Sequence, residues 1–189
     1  MFDSLKQSIS RRRALVIAPV ALGGFAALLS RLSPHGHDAN PEVGIVEFDD
    51  SGRKLGAAVR KKVTHSDADW RSQLTAQQYW SARRGTTDTP FTGTYYRSEA
   101  TGLYRCVCCG SALFSSATKF DSGTGWPSYT SPVAAENIYT QADNSLSMHR
   151  IEVLCHLCDA HLGHLFDDGP PPAGLRYCIN ESALRFVSS

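Results

Sequence analysis

The sequence predicts a mainly β fold with antiparallel pairing, opened by two short N-terminal helices and cross-linked by a four-cysteine zinc site. Three observations carry that expectation. From Thr94 to Val187, short runs rich in β-branched and aromatic residues alternate with Gly, Pro, Asp and Ser clusters and show no long helical period. Ahead of them, Thr64 to Arg84 contains two cap-like helix starts, Ser66 or Asp67 and then Thr75. Two Cys-x-x-Cys pairs, Cys106-Val-Cys-Cys109 and Cys155-His-Leu-Cys158, lie within the strand-rich part.

The 189 residues suffice for one domain plus an appendage, and an apolar content of 42% with 20% charged residues supports a folded core. The net charge is +1, and beyond the N-terminus there is no basic stripe, which argues against nucleic acid as a partner. Residues 1–33 read as an address. Lys6 and Arg11-Arg12-Arg13 precede an uncharged run from Ala14 to Ser30, closed by Arg31. The run is short for a membrane span, which needs about 20 apolar residues, and suits a signal-peptide core. Ser10-Arg-Arg-Arg-Ala-Leu15 resembles a twin-arginine export motif. Export to the periplasm is therefore expected, with an uncleaved membrane anchor facing the periplasm as the alternative. Residues 34–40 read as a linker, in which His35 and His37 are assigned no role, and the domain proper is expected over 41–189.

Within the domain, Val43 to Phe48 reads as a strand and Asp49-Asp-Ser-Gly52 as a turn, which predicts a hairpin ending near Val63. The two helices over Thr64 to Arg84 are expected to cover a sheet, with Trp70, Tyr79 and Trp80 as packing residues. Gly85 to Gly93 reads as loop. Strands are expected at Thr94–Tyr96, Leu103–Tyr104, Ala112–Phe114, Ile151–Leu154, His164–Phe166, Arg176–Ile179 and Leu184–Val187.

The cysteine pairs point to metal. Two residues between thiols let one loop offer both sulfurs to a single ion, and two such loops complete a tetrahedral four-thiolate zinc site. Cys106, Cys109, Cys155 and Cys158 are therefore the expected ligands of one structural zinc per chain. The stretch between the pairs exceeds the usual spacing of about 15 to 20 residues, so the metal would cross-link distant hairpins. Two disulfides or a redox-active dithiol are the competing readings. Cys108 breaks the two-residue spacing and stands outside the ligand set, as does His156.

Cys178 lies outside both pairs. Strand alternation puts Arg176, Cys178 and Asn180 on one face, and a neighbouring cation favours the reactive thiolate. An inert core cysteine is the bland alternative. Two further stretches look chemical. Asp121-Ser-Gly-Thr-Gly-Trp-Pro-Ser128 can present the Trp126 indole on a glycine-rich loop. Ala160-His-Leu-Gly-His-Leu-Phe-Asp-Asp168 places His161 and His164 around a glycine, with Asp168 beyond, a combination suited to proton handling.

Together with Gly85-Thr86 and Pro90-Phe-Thr-Gly93, these motifs resemble those of methionine-R-sulfoxide reductases of the B type, from about Val63 to Val187. The resemblance implies two antiparallel sheets with peripheral helices and a four-cysteine zinc. It also implies reduction of the R epimer of free or protein-bound methionine sulfoxide through a cysteine sulfenic acid, repairing oxidised proteins. On this chain it implies Cys178 as nucleophile, assisted by Arg176. His161 and His164 are then the active-site histidines, with Asp168 and Asn180 alongside, and Trp126 binds the methyl group. His164 is the best acid candidate, while His161 and Asp168 position the site and its water. The chain departs from the pattern at Thr124, where many members carry a resolving cysteine. Direct reduction by a low-molecular-weight thiol or a thioredoxin-like partner is therefore expected, on a monomeric enzyme. The competing functions are a non-catalytic zinc-knuckle binding module and a thiol–disulfide oxidoreductase. The combination of Arg176, Cys178 and His164 argues against the first, and a tightly held zinc would argue against the second.

Overall fold

In the computed structural model the described residues are 41–145 and 148–189, so the signal-like segment 1–33 and the linker 34–40 lie outside them. Among the described residues no helix is long and apolar enough to cross a membrane. The described residues open with the expected hairpin, β1 (Glu42–Phe48) against β2 (Lys54–Lys61). Its turn is organised by the Asp49 carboxylate, which accepts from the Ser51 and Arg53 main-chain N–H groups at 3.0 Å each. This is the Asx geometry that made Asp-Asp-Ser-Gly readable as a turn.

Two helices follow, α1 (Asp67–Gln73) and α2 (Ala76–Arg84). Each starts on a complete capping box, Ser66 with Asp69 and Thr75 with Gln78, and α2 stops at Gly85 in the left-handed conformation. Trp70, Leu74 and Tyr79 are buried in a small cluster closed by Val63, Val107 and Cys108. Trp80 does not pack as expected and is 50% exposed. One residue advances a helix by about 100°, so Trp80 cannot share the inward face of Tyr79.

The remaining strands are β3 (Gly102–Cys106), β4 (Ala112–Ser115), β5 (Lys119–Phe120), β6 (Ser128–Tyr129), β7 (Ile138–Asp143), β8 (Arg150–Cys155), β9 (His161–Phe166), β10 (Arg176–Ile179) and β11 (Leu184–Ser188). They form a six-stranded sheet, β5-β6-β10-β9-β8-β7, and a three-stranded sheet, β11-β3-β4, antiparallel throughout. These are the two sheets expected, with the β1–β2 hairpin as a separate ribbon. Leu113, Phe114, Tyr104, Tyr129, Leu162 and Ile179 are fully buried in the core, with the Phe114 and Tyr129 rings stacked at 4.5 Å. Each such side chain contributes on the order of 1.5–3 kcal/mol by leaving water. Asn137 is buried among them because its amide is fully used. Its Oδ1 accepts from the Val46 N–H at 2.8 Å, and its Nδ2 donates to the carbonyls of Val46 at 2.9 Å and Ala112 at 2.8 Å. The ribbon is thereby tied to β4.

One expected strand is absent. Thr94–Tyr96 lies in a bend and turn, where the Glu181 carboxylate takes the N–H groups of Thr94 and Tyr95 at 2.8 and 2.6 Å and withholds them from a ladder.

Candidate active site and metal centre

The two Cys-x-x-Cys turns have the same backbone design. In each, the fifth residue donates to the carbonyl of the first cysteine, Gly110 to Cys106 and Asp159 to Cys155, both at 2.9 Å. Both closing residues have positive φ, 76° at Gly110 and 56° at Asp159. Glycine adopts this conformation freely. Asp159 is held there by an ion pair with Lys62 and by the Tyr139 hydroxyl at 3.0 Å. The sulfurs of Cys106, Cys109, Cys155 and Cys158 then lie within 4.8 Å of one another. The close contacts run between the turns, 3.6 Å from Cys106 to Cys158 and 3.5 Å from Cys109 to Cys155, and all are free thiols. A tetrahedral ion with metal–sulfur bonds of about 2.3 Å separates its ligands by nearly that distance. Hydrogen bonds centred on the Cys106 sulfur hold Cys109 and Cys155 above the ordinary thiol range. Four crowded thiols, three of them buried, cannot all ionise without a cation, so the donor set fits a soft divalent metal. Cys108, outside the four, packs against the helix cluster of Trp70, Leu74 and Tyr79 and also contacts the Cys106 and Cys158 sulfurs.

The second site is a row across the six-stranded sheet. Cys178 on β10 pairs directly with His164 on β9 and with Ser128 on β6, and His164 pairs in turn with Glu152 on β8. Directly opposed residues share a face, with Cβ atoms about 4.5–5.5 Å apart. His161 joins them through an irregularity. Val153 opposes Gly163 and Leu154 opposes His161, so Leu162 is an extra residue on β9. Residues three apart normally point to opposite faces; the bulge restores the same face. The imidazole centroids of His161 and His164 are 5.4 Å apart in an edge arrangement. The glycine between them is required: a Cβ at Gly163 would lie 2.1 Å from the Cys178 carbonyl oxygen.

Each histidine is backed by a carboxylate that sequence reasoning missed. His161 Nδ1 is 2.6 Å from Glu152, and its Nε2 is buried with no partner among the described residues. His164 Nε2 is 2.8 Å from Asp143, which also accepts from Arg150 at 2.6 Å. Hydrogen bonds from Ser145, and then from His164, hold Asp143 far below the usual carboxylate range. Asp143 is therefore ionised and accepts only, so Nε2 carries the proton and Nδ1 is the free basic nitrogen. Burial lowers the His164 pKa below 6.5. Glu152 was visible as the polar residue inside Ile151–Leu154, whereas Asp143 lay in a strand that the sequence did not suggest.

Arg176 is buried beside Cys178, but its guanidinium fork closes on Asp168 at 2.7 and 2.8 Å. Asp168 thus grips the arginine and does not back the histidine pair. Burial pushes the Cys178 thiol above its ordinary 9.0, outweighing the Arg176 charge and the Thr124 hydroxyl, which pull it down. The resting site holds a neutral thiol opposite a neutral imidazole. Trp126 is half-buried, its indole N–H bound to the Asp88 carbonyl at 2.9 Å, and Asn180 is buried with its side chain on the Asp88 N–H.

Residues 74–188 match the SelR domain. The chain is 54% identical over 128 residues to the peptide methionine sulfoxide reductase MsrB of Hahella chejuensis, covering 68% of this chain and 92% of that protein. It is 54% identical over 118 residues to the Pseudomonas aeruginosa protein of the same name, covering 62% and 89%. Identity to the chloroplastic peptide methionine sulfoxide reductase B1 of Oryza sativa is 53% over 121 residues, covering 64% and 56%.

Proposed function

The chain belongs to the SelR family of B-type methionine sulfoxide reductases and is a peptide-methionine (R)-S-oxide reductase, and from that premise we propose that Cys178 is the oxygen acceptor and His164 the proton carrier. The observation that carries the proposal is the direct cross-strand pairing of the two residues, a thiol held protonated against an imidazole held neutral.

His164 Nδ1 takes the Cys178 proton as the sulfur attacks the sulfoxide sulfur, and the imidazolium passes that proton to the sulfoxide oxygen. The new sulfur–sulfur bond then breaks as oxygen migrates to Cys178. Methionine leaves, and Cys178 remains as a sulfenic acid. The thiol proton travels with the oxygen, so the step balances without an outside acid. Arg176, fixed by Asp168, steadies the transient thiolate. His161 Nε2, with Nδ1 held by Glu152, offers a contact for the oxygen or a water. Trp126 packs on the methyl group, so the opposite epimer would press its oxygen against an aromatic wall. Asn180 acts from below, through its hold on the Asp88 loop.

Zinc fits the four-thiol site, held by Cys106, Cys109, Cys155 and Cys158, where it supplies a cross-link between the two turns. An external thiol resets the enzyme: it displaces water from the sulfenic acid to give a mixed disulfide, and a second thiol releases Cys178 and a disulfide. Thr124 in the glycine-rich loop and Cys108 against the helix cluster support this over internal resolution. The substrates are free or protein-bound methionine-R-sulfoxides, and the role is protein repair by a monomer. The N-terminal arginines and uncharged run support twin-arginine export to the periplasm, which fractionation of the full chain would check.

The test is a single turnover at one equivalent of R-sulfoxide without reductant. It should yield one methionine per Cys178 and none with the S epimer. Equal turnover of Cys178→Ser would defeat the assignment.

A further inference from the structure

Three parts of the site converge on one residue of the loop that follows α2. The main-chain carbonyl of Asp88 accepts the Trp126 indole N–H at 2.9 Å. Its main-chain N–H donates to Asn180 Oδ1, also at 2.9 Å. Its carboxylate accepts from the Ser182 N–H at 2.8 Å and from the Ser182 hydroxyl at 2.6 Å. Asn180 stands at the N-cap of the 3-10 turn Glu181–Ala183, directly after the strand of Cys178, yet its side chain does not cap that turn. The Asp88 carboxylate caps it instead, while the Asn180 amide satisfies the Asp88 N–H. This is the reciprocity of a capping box, built between segments far apart in the chain.

The same loop grips the Trp126 loop a second time. The Phe91 N–H donates to the Gly125 carbonyl at 3.0 Å. A Cβ at Gly125 would lie 2.7 Å from the Phe91 nitrogen and ring, so only glycine permits the approach. Phe91 itself has φ 64°, a conformation that bulky residues rarely adopt, and the residue is 56% exposed. A strained residue of this kind persists only where its surroundings over-determine it, and here the two contacts to the Trp126 loop do so. None of the hydrogen bonds made by Asp88 reaches Cys178 or either histidine.

We propose that Asp88 is a positioning residue that sets the orientation of Trp126, and through it the fit of the substrate methyl group, without taking part in proton or oxygen transfer. The indole bonds to a backbone carbonyl, so the carboxylate acts by fixing where that carbonyl stands. It does so by clamping the loop to the turn that follows the nucleophile strand. The inference rests on the reading of Trp126 as the methyl-binding wall. It extends that reading by naming what holds the wall in place.

The experiment compares Asp88→Ala and Asp88→Asn, each in the otherwise native chain and in Trp126→Leu. It measures KM and kcat for an R-sulfoxide with dithiothreitol, the rate of Cys178 alkylation by iodoacetamide, tryptophan emission and melting temperature. Asp88→Ala should raise KM about tenfold while kcat stays within about twofold, the pattern of lost uniform binding. Alkylation should be unchanged. Emission should change, and that change should vanish in Trp126→Leu. Asp88→Asn keeps an acceptor for Ser182 and should recover most of the KM. Unchanged KM and emission in Asp88→Ala would overturn the inference. So would a joint fall of kcat, alkylation rate and melting temperature in both variants, the mark of a merely structural residue. Should Trp126→Leu keep the native KM while Asp88→Ala still alters the emission of Trp126, the methyl-wall reading fails and the positioning of the indole by Asp88 stands.

Discussion

The molecule uses cysteine in two places, and the neighbours decide the chemistry. In the metal centre, four thiols crowd within 4.8 Å of one another, mostly buried. They meet at two turns of the same design, where a bound divalent cation would offset the charge of ionised sulfurs. Cys178 sits alone on a strand, with Arg176 two residues away and His164 directly opposite. There the sulfur has no metal-binding companions, and a histidine is its cross-strand partner. The contrast is that spacing along the chain marks the four thiols that could hold a metal, whereas Cys178 is distinguished by what the sheet places across from it.

Substitutions can break this division of labour, beginning with the most severe. Cys178→Ser should abolish reduction of R-sulfoxide while metal content and melting temperature stay as in the parent, read by assay, metal analysis and calorimetry. Cys158→Ser should do the reverse in order of cause. Structural zinc contributes on the order of 10 kcal/mol to small domains, so metal should be lost and the melting temperature should fall by more than about 10 °C. Activity should then fall only as the fold fails.

The proton carrier gives the next effect. His164→Gln should slow the single-turnover rate by about 10²–10⁴. Asp143→Asn should slow it by about tenfold and move the acidic limb of the pH profile to lower pH, because the carboxylate that raises the His164 pKa is gone. The sign follows from the resting charges. The proposed mechanism needs neutral His164, whose pKa is lowered below 6.5, and protonated Cys178, whose pKa is raised above 9.0. The single-turnover rate should therefore hold level between those values, falling below the first and above the second. A rate that climbs continuously through pH 9 would mean that free thiolate is the attacking form. The smallest effect is expected at Cys108→Ser, whose turnover with dithiothreitol should stay within about twofold of the parent, since this thiol is packed against the helix cluster.

Where chemistry is local, it was legible. The capping boxes at Ser66 and Thr75, the Asp49 turn, the strand Arg176–Ile179 and the four-cysteine cluster each depend on residues close in sequence or on matched pairs. Illegible features depend on partners far away. β5 and β6 are two residues long, too short to show alternation, and β7 carries mostly polar residues along a sheet edge. Thr94–Tyr96 has strand composition, but a carboxylate from Glu181 takes the N–H groups of Thr94 and Tyr95. In the site, Cys178, Arg176, His161 and His164 were readable as candidates. The bulge at Leu162 that turns both histidines to one face was not, nor were the carboxylates of Glu152 and Asp143 that orient them. Asp168 was expected, with His161, to position the site and its water, on the strength of its place just after the histidines in sequence. Its contacts place it on Arg176.

The central claim is that oxygen passes from the substrate to Cys178 and to no other cysteine. Peptide mass mapping of the full chain after one equivalent of methionine-R-sulfoxide, without reductant and with a sulfenic-acid trap, tests it most directly. The expected result is one trapped sulfenic acid on the peptide carrying Cys178, matched by one released methionine, with the four ligand cysteines unmodified. Stoichiometric methionine with Cys178 untouched, or oxidation found first within the four-cysteine centre, would contradict it.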